Sequence, residues 1–200
     1  MFYILKPYPQ NNETQYFLGR DAIFEALPID TNDIVFLGNS LTQNFILSEF
    51  FNNPEIKNRG VSGDNISGVL NRLHPVVLGK PAKVFLMLGV NDLGHGKSVS
   101  ETISKYKEIL ESLKKNDQTE IFIQSALPVS AECPYGDIND KIEQLNQCLQ
   151  NLSMEFNVVY IDLHQEFILE NELNPNYHID GIHLNAEGYI LWKKIIFNYL

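Results

Sequence analysis

Ser40, Asp180 and His183 are side chains of the types needed for acyl transfer through a covalent intermediate. A serine hydroxyl is a poor nucleophile until a base takes its proton. An aspartate three residues before a histidine can fold back onto the imidazole Nδ1. That contact fixes the tautomer and leaves Nε2 free to act as the base. Asp180-Gly-Ile-His183 has this spacing, in a polar, turn-rich stretch just before a helix start. Attack on an ester carbonyl also requires donors for the oxygen that becomes negative. The backbone N–H of Gly63 can lie close to a ligand because glycine has no side chain in the way. The Asn91 amide follows an apolar run and could aim its NH2 at the same place. Each residue also has a plain reading. A lone serine carries little information, Gly63 and Asn91 suit ordinary turns, and Asp180 could satisfy local backbone donors beside a surface histidine. Their meaning depends on whether the fold gathers them.

The elements that would do so are legible. Residues 34–37 are four apolar residues without a polar break, closed by Gly38, Asn39 and Ser40. Such a run reads as a strand buried on both faces inside a parallel sheet. Gly38 is expected to let the backbone turn sharply at its end. Residues 83–88 form a second run of this kind, ending in Gly89-Val-Asn-Asp-Leu-Gly94. Weaker or shorter strands are expected at 56–61, 120–126 and 158–161. Helical periodicity falls between them: at 14–27, after Ser40 with Phe45, Phe50 and Phe51, and after Asn65 with Ile66, Val69, Leu70 and Leu73. It recurs at 100–115, at 137–156, and from Asn185 onward. Residues 1–12 read as an irregular lead-in, 128–136 as a loop, and 163–184 as a stretch of mixed character.

Strands alternating with helices predict an α/β fold, a three-layer α/β/α sandwich. Its five-stranded parallel sheet is expected in the flavodoxin-like order 2-1-3-4-5, within a single domain spanning 1–200. That order puts the switch point between the first and third strands, which brings Ser40 and Asn91 together at the carboxyl edge.

Composition narrows the function. The net charge is −10, and between Ala131 and Glu187 the only Lys or Arg is Lys141. This argues against nucleic acid and anionic membrane surfaces as partners. No apolar run approaches the length of a membrane span. Cys133 and Cys148 lack metal spacing and are expected as free thiols. His74, His95, His164 and His178 show no paired ligand spacing, so neither a metal nor a cofactor is called. Asp64 and Asp92 are expected to cap helices or brace loops, and Tyr135, Tyr177 and Trp192 to pack or to line a pocket, with packing favoured. The N-terminus carries no signal peptide as written, which predicts a cytoplasmic protein, or a periplasmic or secreted one if a leader has been removed.

Gly38-Asn-Ser-Leu-Thr42, Asn58-Arg-Gly-Val-Ser-Gly-Asp64, Gly89-Val-Asn-Asp92 and Asp180-Gly-Ile-His183 together resemble the four motif blocks of the SGNH hydrolases, the GDSL-type esterases and lipases. The blocks agree in order and spacing from Gly38 to His183. The resemblance implies Ser40 as nucleophile, His183 as base and Asp180 as its orienting acid. It also implies an oxyanion hole from the N–H groups of Ser40 and Gly63 and the side chain of Asn91. One departure is plain: Asn39 stands where the family usually has aspartate. The segments 58–73 and 79–93 look closer to the branch containing platelet-activating-factor acetylhydrolase subunits and carbohydrate or sialate O-acetylesterases. The implied function is a metal-independent serine esterase acting on short acyl esters, acetate first, with a small-molecule substrate such as an acetylated sugar. The rivals are an acyltransferase on the same triad and a catalytically idle carbohydrate-binding module. Self-association into a homo-oligomer stays open.

Overall fold

The computed structural model describes residues 12–200. The lead-in expected over 1–12 falls outside the described residues except for Asn12, which opens the first helix.

Five strands form one parallel sheet: β1 (Ile34–Gly38), β2 (Ile56–Gly60), β3 (Lys83–Met87), β4 (Glu120–Gln124) and β5 (Val159–Ile161). Their order is β2-β1-β3-β4-β5, as the alternation of strand and helix predicts. Gly38 pairs with Gly60 on one side and with Met87 on the other, so the three strand ends lie level. Every residue of β1 is buried. That is why its sequence runs apolar without alternation, since helices cover both faces.

The helices are α1 (Asn12–Ala26), α2 (Ser40–Asn44), α3 (Leu47–Phe51), α4 (Ile66–Asn71), α5 (His74–Gly79), α6 (Val90–Gly94), α7 (Val99–Leu113), α8 (Asn139–Phe156), α9 (His164–Phe167) and α10 (Ala186–Ile196). One core lies between the sheet and α4, α5, α7 and α8, where Val35, Leu37, Leu86 and Ile123 meet Val69, Ile109 and Leu145. The other lies under α2, α3 and α10, where Phe36, Phe85 and Phe122 meet Phe45, Tyr189 and Trp192. Phe36, Phe85 and Phe122 stack across three neighbouring strands with centroids 4.5 and 4.4 Å apart.

Three local expectations are refined. The helix after Ser40 is two helices, because Phe45 turns extended and sinks its ring against Trp192 and Tyr189. The helix from Ile66 is also two, with Pro75 in the first turn of α5, the one place a helix accepts it at no hydrogen-bonding cost. Between 163 and 184 lie α9 and a small antiparallel hairpin, β6 (Ile168–Leu169) and β7 (Glu172–Leu173). Its two-residue turn puts Glu170 and Asn171 at φ 51° and 66°. The turn lacks the glycine that normally advertises such a conformation.

Candidate active site

Ser40 follows β1 directly and is the first residue of α2. The Asn39 side chain caps that helix, its Oδ1 accepting from Leu41 N–H at 3.0 Å. Asn39 is buried. The amide therefore supplies the cap that an aspartate would, without burying a charge. Gly38 is needed for space: a Cβ there would collide with the Thr42 side chain. Its φ is not among the positive values, so the abrupt passage from β1 into α2 uses this glycine for space rather than for a left-handed backbone. Asn58 closes the other end of α2, donating from Nδ2 to Thr42 O at 2.7 Å and Phe45 O at 2.9 Å.

His183 reaches this point from the loop before α10. Its Nε2 stands 2.9 Å from Ser40 Oγ and its Nδ1 2.7 Å from Asp180 Oδ2. The second Asp180 oxygen accepts from the N–H groups of His183 at 2.7 Å and Ile182 at 3.1 Å. Some burial raises the Asp180 carboxyl, but the bonds from His183 and Ile182 outweigh it, so its pKa lies below the ordinary carboxylate value. An ionised Asp180 keeps the proton on Nδ1 and the lone pair on Nε2 facing serine. The loop is braced at three further points. His178 Nδ1 accepts from Gly181 N–H at 2.9 Å, Ile179 N–H donates to His183 O at 2.9 Å, and Ser130 N–H donates to Gly181 O at 2.9 Å. From α10, Tyr189 Oη donates to Leu41 O at 3.0 Å, fastening this end of the chain to the Ser40 helix.

The two remaining donors expected from the sequence also lie in one cluster. Gly63 sits at φ 77°, a backbone state that strains residues with a Cβ. The preceding Ser62 N–H donates to Gln43 Oε1 at 2.8 Å, so α2 holds the Gly63 turn directly. Asn91 Nδ2 donates to Asp64 O at 2.7 Å, and Asn91 Oδ1 accepts from Tyr135 Oη at 3.1 Å. These partners fix which end of the amide is nitrogen and leave one Nδ2 hydrogen for a ligand. Ser40 N–H, at the first turn of α2, has no intrahelical acceptor.

Beneath the cluster lies an ion pair that sequence reading missed. Arg72 Nε meets Asp64 Oδ2 at 2.7 Å, both side chains buried. Its other nitrogens donate to Arg59 O at 2.7 Å and Gly38 O at 3.1 Å, the ends of β2 and β1. Asp92 accepts from Ile66 N–H at 3.2 Å and so caps α4, the bracing role anticipated for it. Tyr135, expected to pack, also bonds Asn91. No pattern in the sequence could pair it with a residue 44 positions away. Trp192 and Tyr177 are packing residues as expected, the first buried against Phe45 and the second against Phe167.

A cavity of about 540 Å³ opens beside Gly63. Phe17 and Asp21 of α1 line one wall; Asn65, Ser67, Asn71 and His95 line the others. Cys133 and Cys148 are free thiols. Among the described residues, no group of three His, Cys, Asp or Glu side chains is arranged around a common metal position. No helix among them is long and apolar enough to cross a membrane.

Residues 36–191 match the GDSL-like Lipase/Acylhydrolase family. The chain belongs to that family. Among solved structures of similar fold, a protein from Streptococcus pneumonia named for platelet activating factor is 27% identical, with a TM-score of 0.82 over 92% of this chain and 91% of that one. A GDSL-like lipase from Bacteroides thetaiotaomicron is 26% identical, with a TM-score of 0.82 over 92% of this chain and 96% of that one. An N-acylneuraminate cytidylyltransferase from Streptococcus agalactiae is 26% identical over 181 residues, 90% of this chain and 40% of its own. The chain thus spans about two fifths of the length of the curated relatives it matches. The family resemblance read from the motif blocks and the fold read from the strand pattern are borne out.

Proposed function

We propose that the chain folds as one domain over 1–200 and is a serine esterase removing short acyl groups, acetate first, from hydroxyls of a carbohydrate or similar small molecule. The observation that carries this reading is the unbroken relay from Asp180 through His183 to Ser40 Oγ, at 2.7 and 2.9 Å. Membership of an acylhydrolase family supports ester hydrolysis, and the hydrogen-bonding side chains Asn65, Ser67 and Asn71 in the cavity beside Gly63 support a hydroxylated leaving group.

In this mechanism His183 Nε2 takes the Ser40 proton as Oγ attacks the ester carbonyl carbon. The carbonyl π pair moves to oxygen, where the N–H groups of Ser40 and Gly63 and the free Asn91 hydrogen receive it. Asp180 stabilises the imidazolium. The intermediate then collapses, the bond to the alcohol oxygen breaks, and His183 returns the proton to that oxygen. Water repeats the sequence on acyl-Ser40, releasing the acid. Donors held in place before the reaction contribute most to such a rate, since they need no reorganisation as charge develops. An intact relay favours catalysis over the idle binding-module reading.

Hydrolysis of p-nitrophenyl acetate, butyrate and octanoate by native protein and by Ser40→Ala, with a chelator present, tests this proposal. Turnover should favour acetate, survive chelation and vanish in the variant. Turnover that persists in Ser40→Ala sinks the mechanism, and a preference for octanoate sinks the short-acyl assignment.

A further inference from the structure

The cavity beside Gly63 has a composition that selects a substrate. Its wall from α1 is firmly seated: the Phe24 ring lies under the guanidinium groups of Arg20, Arg59 and Arg72, at 4.8, 4.9 and 5.6 Å. Arg59 Nη2 also donates to Leu27 O at 3.2 Å, and Tyr16 Oη to Gln43 Oε1 at 2.8 Å. Helix α1 is therefore bonded both to β2 and to the helix that carries Ser40. It presents Phe17 and Asp21 to the cavity, with Phe17 closest to Gly63.

Resting on the esterase reading, we infer that this cavity is the subsite for the alcohol half of the ester, and that it takes an uncharged polyhydroxylated ring such as a neutral sugar. Asn65, Ser67 and Asn71 offer donors and acceptors in the mixture that hydroxyl groups need. His95 Nδ1 lies 2.6 Å from Asn91 O, so it holds the ring proton and leaves Nε2 as an acceptor. Phe17 supplies an apolar face for the C–H side of a ring. A volume of about 540 Å³ falls within the roughly 300–1,000 Å³ of small-molecule sites. The assignment to the alcohol follows from the hydrogen-bonding side chains on the walls, because a long acyl chain would desolvate Asp21, Asn65, Ser67 and Asn71 without pairing them.

Charge decides between neutral and acidic sugars. Asp21 lines the cavity, and no described Lys or Arg is among the lining residues. Burial raises the Asp21 carboxyl; Arg72 lowers it, while Asp64 and Glu25 raise it further. A sugar carboxylate placed here would meet Asp21 and Asp64, with no Lys or Arg among the described lining residues to pair with.

The test compares kcat/KM for three substrates: p-nitrophenyl acetate, methyl 3-O-acetyl-glucopyranoside and methyl 3-O-acetyl-glucopyranosiduronic acid. Native protein should prefer the neutral sugar ester to the acidic one by at least tenfold. Phe17→Ala and Asn71→Ala should lower kcat/KM for the neutral sugar ester at least tenfold more than for p-nitrophenyl acetate, mainly through KM. Asp21→Asn should narrow the gap between neutral and acidic sugars. If the variants lower all three substrates equally, or none, the cavity is not the alcohol subsite. Turnover of p-nitrophenyl acetate with both sugar esters untouched also overturns the subsite while leaving the esterase reading standing. If no ester is turned over, the esterase reading fails and the subsite falls with it.

Discussion

Asn91 uses one amide hydrogen to hold the Asp64 carbonyl, and Tyr135 holds its oxygen. An amide pinned at two points cannot flip, so its remaining hydrogen has a fixed direction. In the proposed mechanism Tyr135 is then a positioning residue, and Tyr135→Phe should lower kcat about tenfold, less than the roughly hundredfold or more for loss of an oxyanion donor. Steady-state kinetics checks this through a split: kcat falls while KM for p-nitrophenyl acetate holds. A KM change of equal size would mean that the loop around Tyr135 had collapsed. Asp180 sets a second expectation. Its folded pKa is depressed, so the stabilisation it provides is present above the ordinary carboxylate value of about 3.9 and is lost only as pH falls through the lower folded value. It stays ionised across the working range, so Asp180 should add no step to a pH–rate profile above that value. A loss of kcat/KM traced to protonation of Asp180 above about 3.9 would overturn this.

At the scale of elements, Arg72 is the joint. From α4's C-terminal end it bonds the last residue of β1, the penultimate residue of β2 and the Asp64 carboxylate. These are the places where the Ser40 and Gly63 loops begin. Arg72→Leu would leave Asp64 buried without its counterion, which typically costs about 3–5 kcal/mol. Urea unfolding should report that loss, and kcat should fall with it as the loops lose their common anchor. The double variant Arg72→Leu, Asp64→Leu should recover part of the stability, because the stranded charge is gone. If the double variant is no more stable than the single, the ion pair is not what the substitution removed. None of this was legible in the sequence. Nothing in the local sequence marks Arg72 as buried; the crossing of three elements makes it so.

For the molecule as a whole, what could be read and what could not divide along a physical line. Strands β1 and β3 were plain because burial on both faces leaves an unbroken apolar run. The order 2-1-3-4-5 followed from their alternation with helices, and with it the gathering of Ser40, Gly63, Asn91 and His183 at one edge. The β6–β7 hairpin was missed because Glu170 and Asn171 adopt its turn without glycine. The contribution of α1 was missed because a helix period says which face is apolar, not which loop it will lean on. Phe17 and Asp21 acquire their place only through contacts made by Phe24 and Tyr16 with distant residues.

Trp192 is the only tryptophan in the chain. It is fully buried on α10, its indole N–H bonded to Gln124 Oε1 on β4 at 2.7 Å and its ring 4.9 Å from Phe45, which follows the Ser40 helix. One turn before it, Tyr189 fastens the same helix to Leu41. The docking that encloses the indole is thus the docking that carries His183 to Ser40, although the two partners lie 143 residues apart in the chain. Intrinsic fluorescence therefore provides a built-in optical clock for assembly of His183 onto Ser40, the base and nucleophile of the proposed mechanism. During refolding, the blue shift of Trp192 emission and the return of esterase turnover should keep the same time.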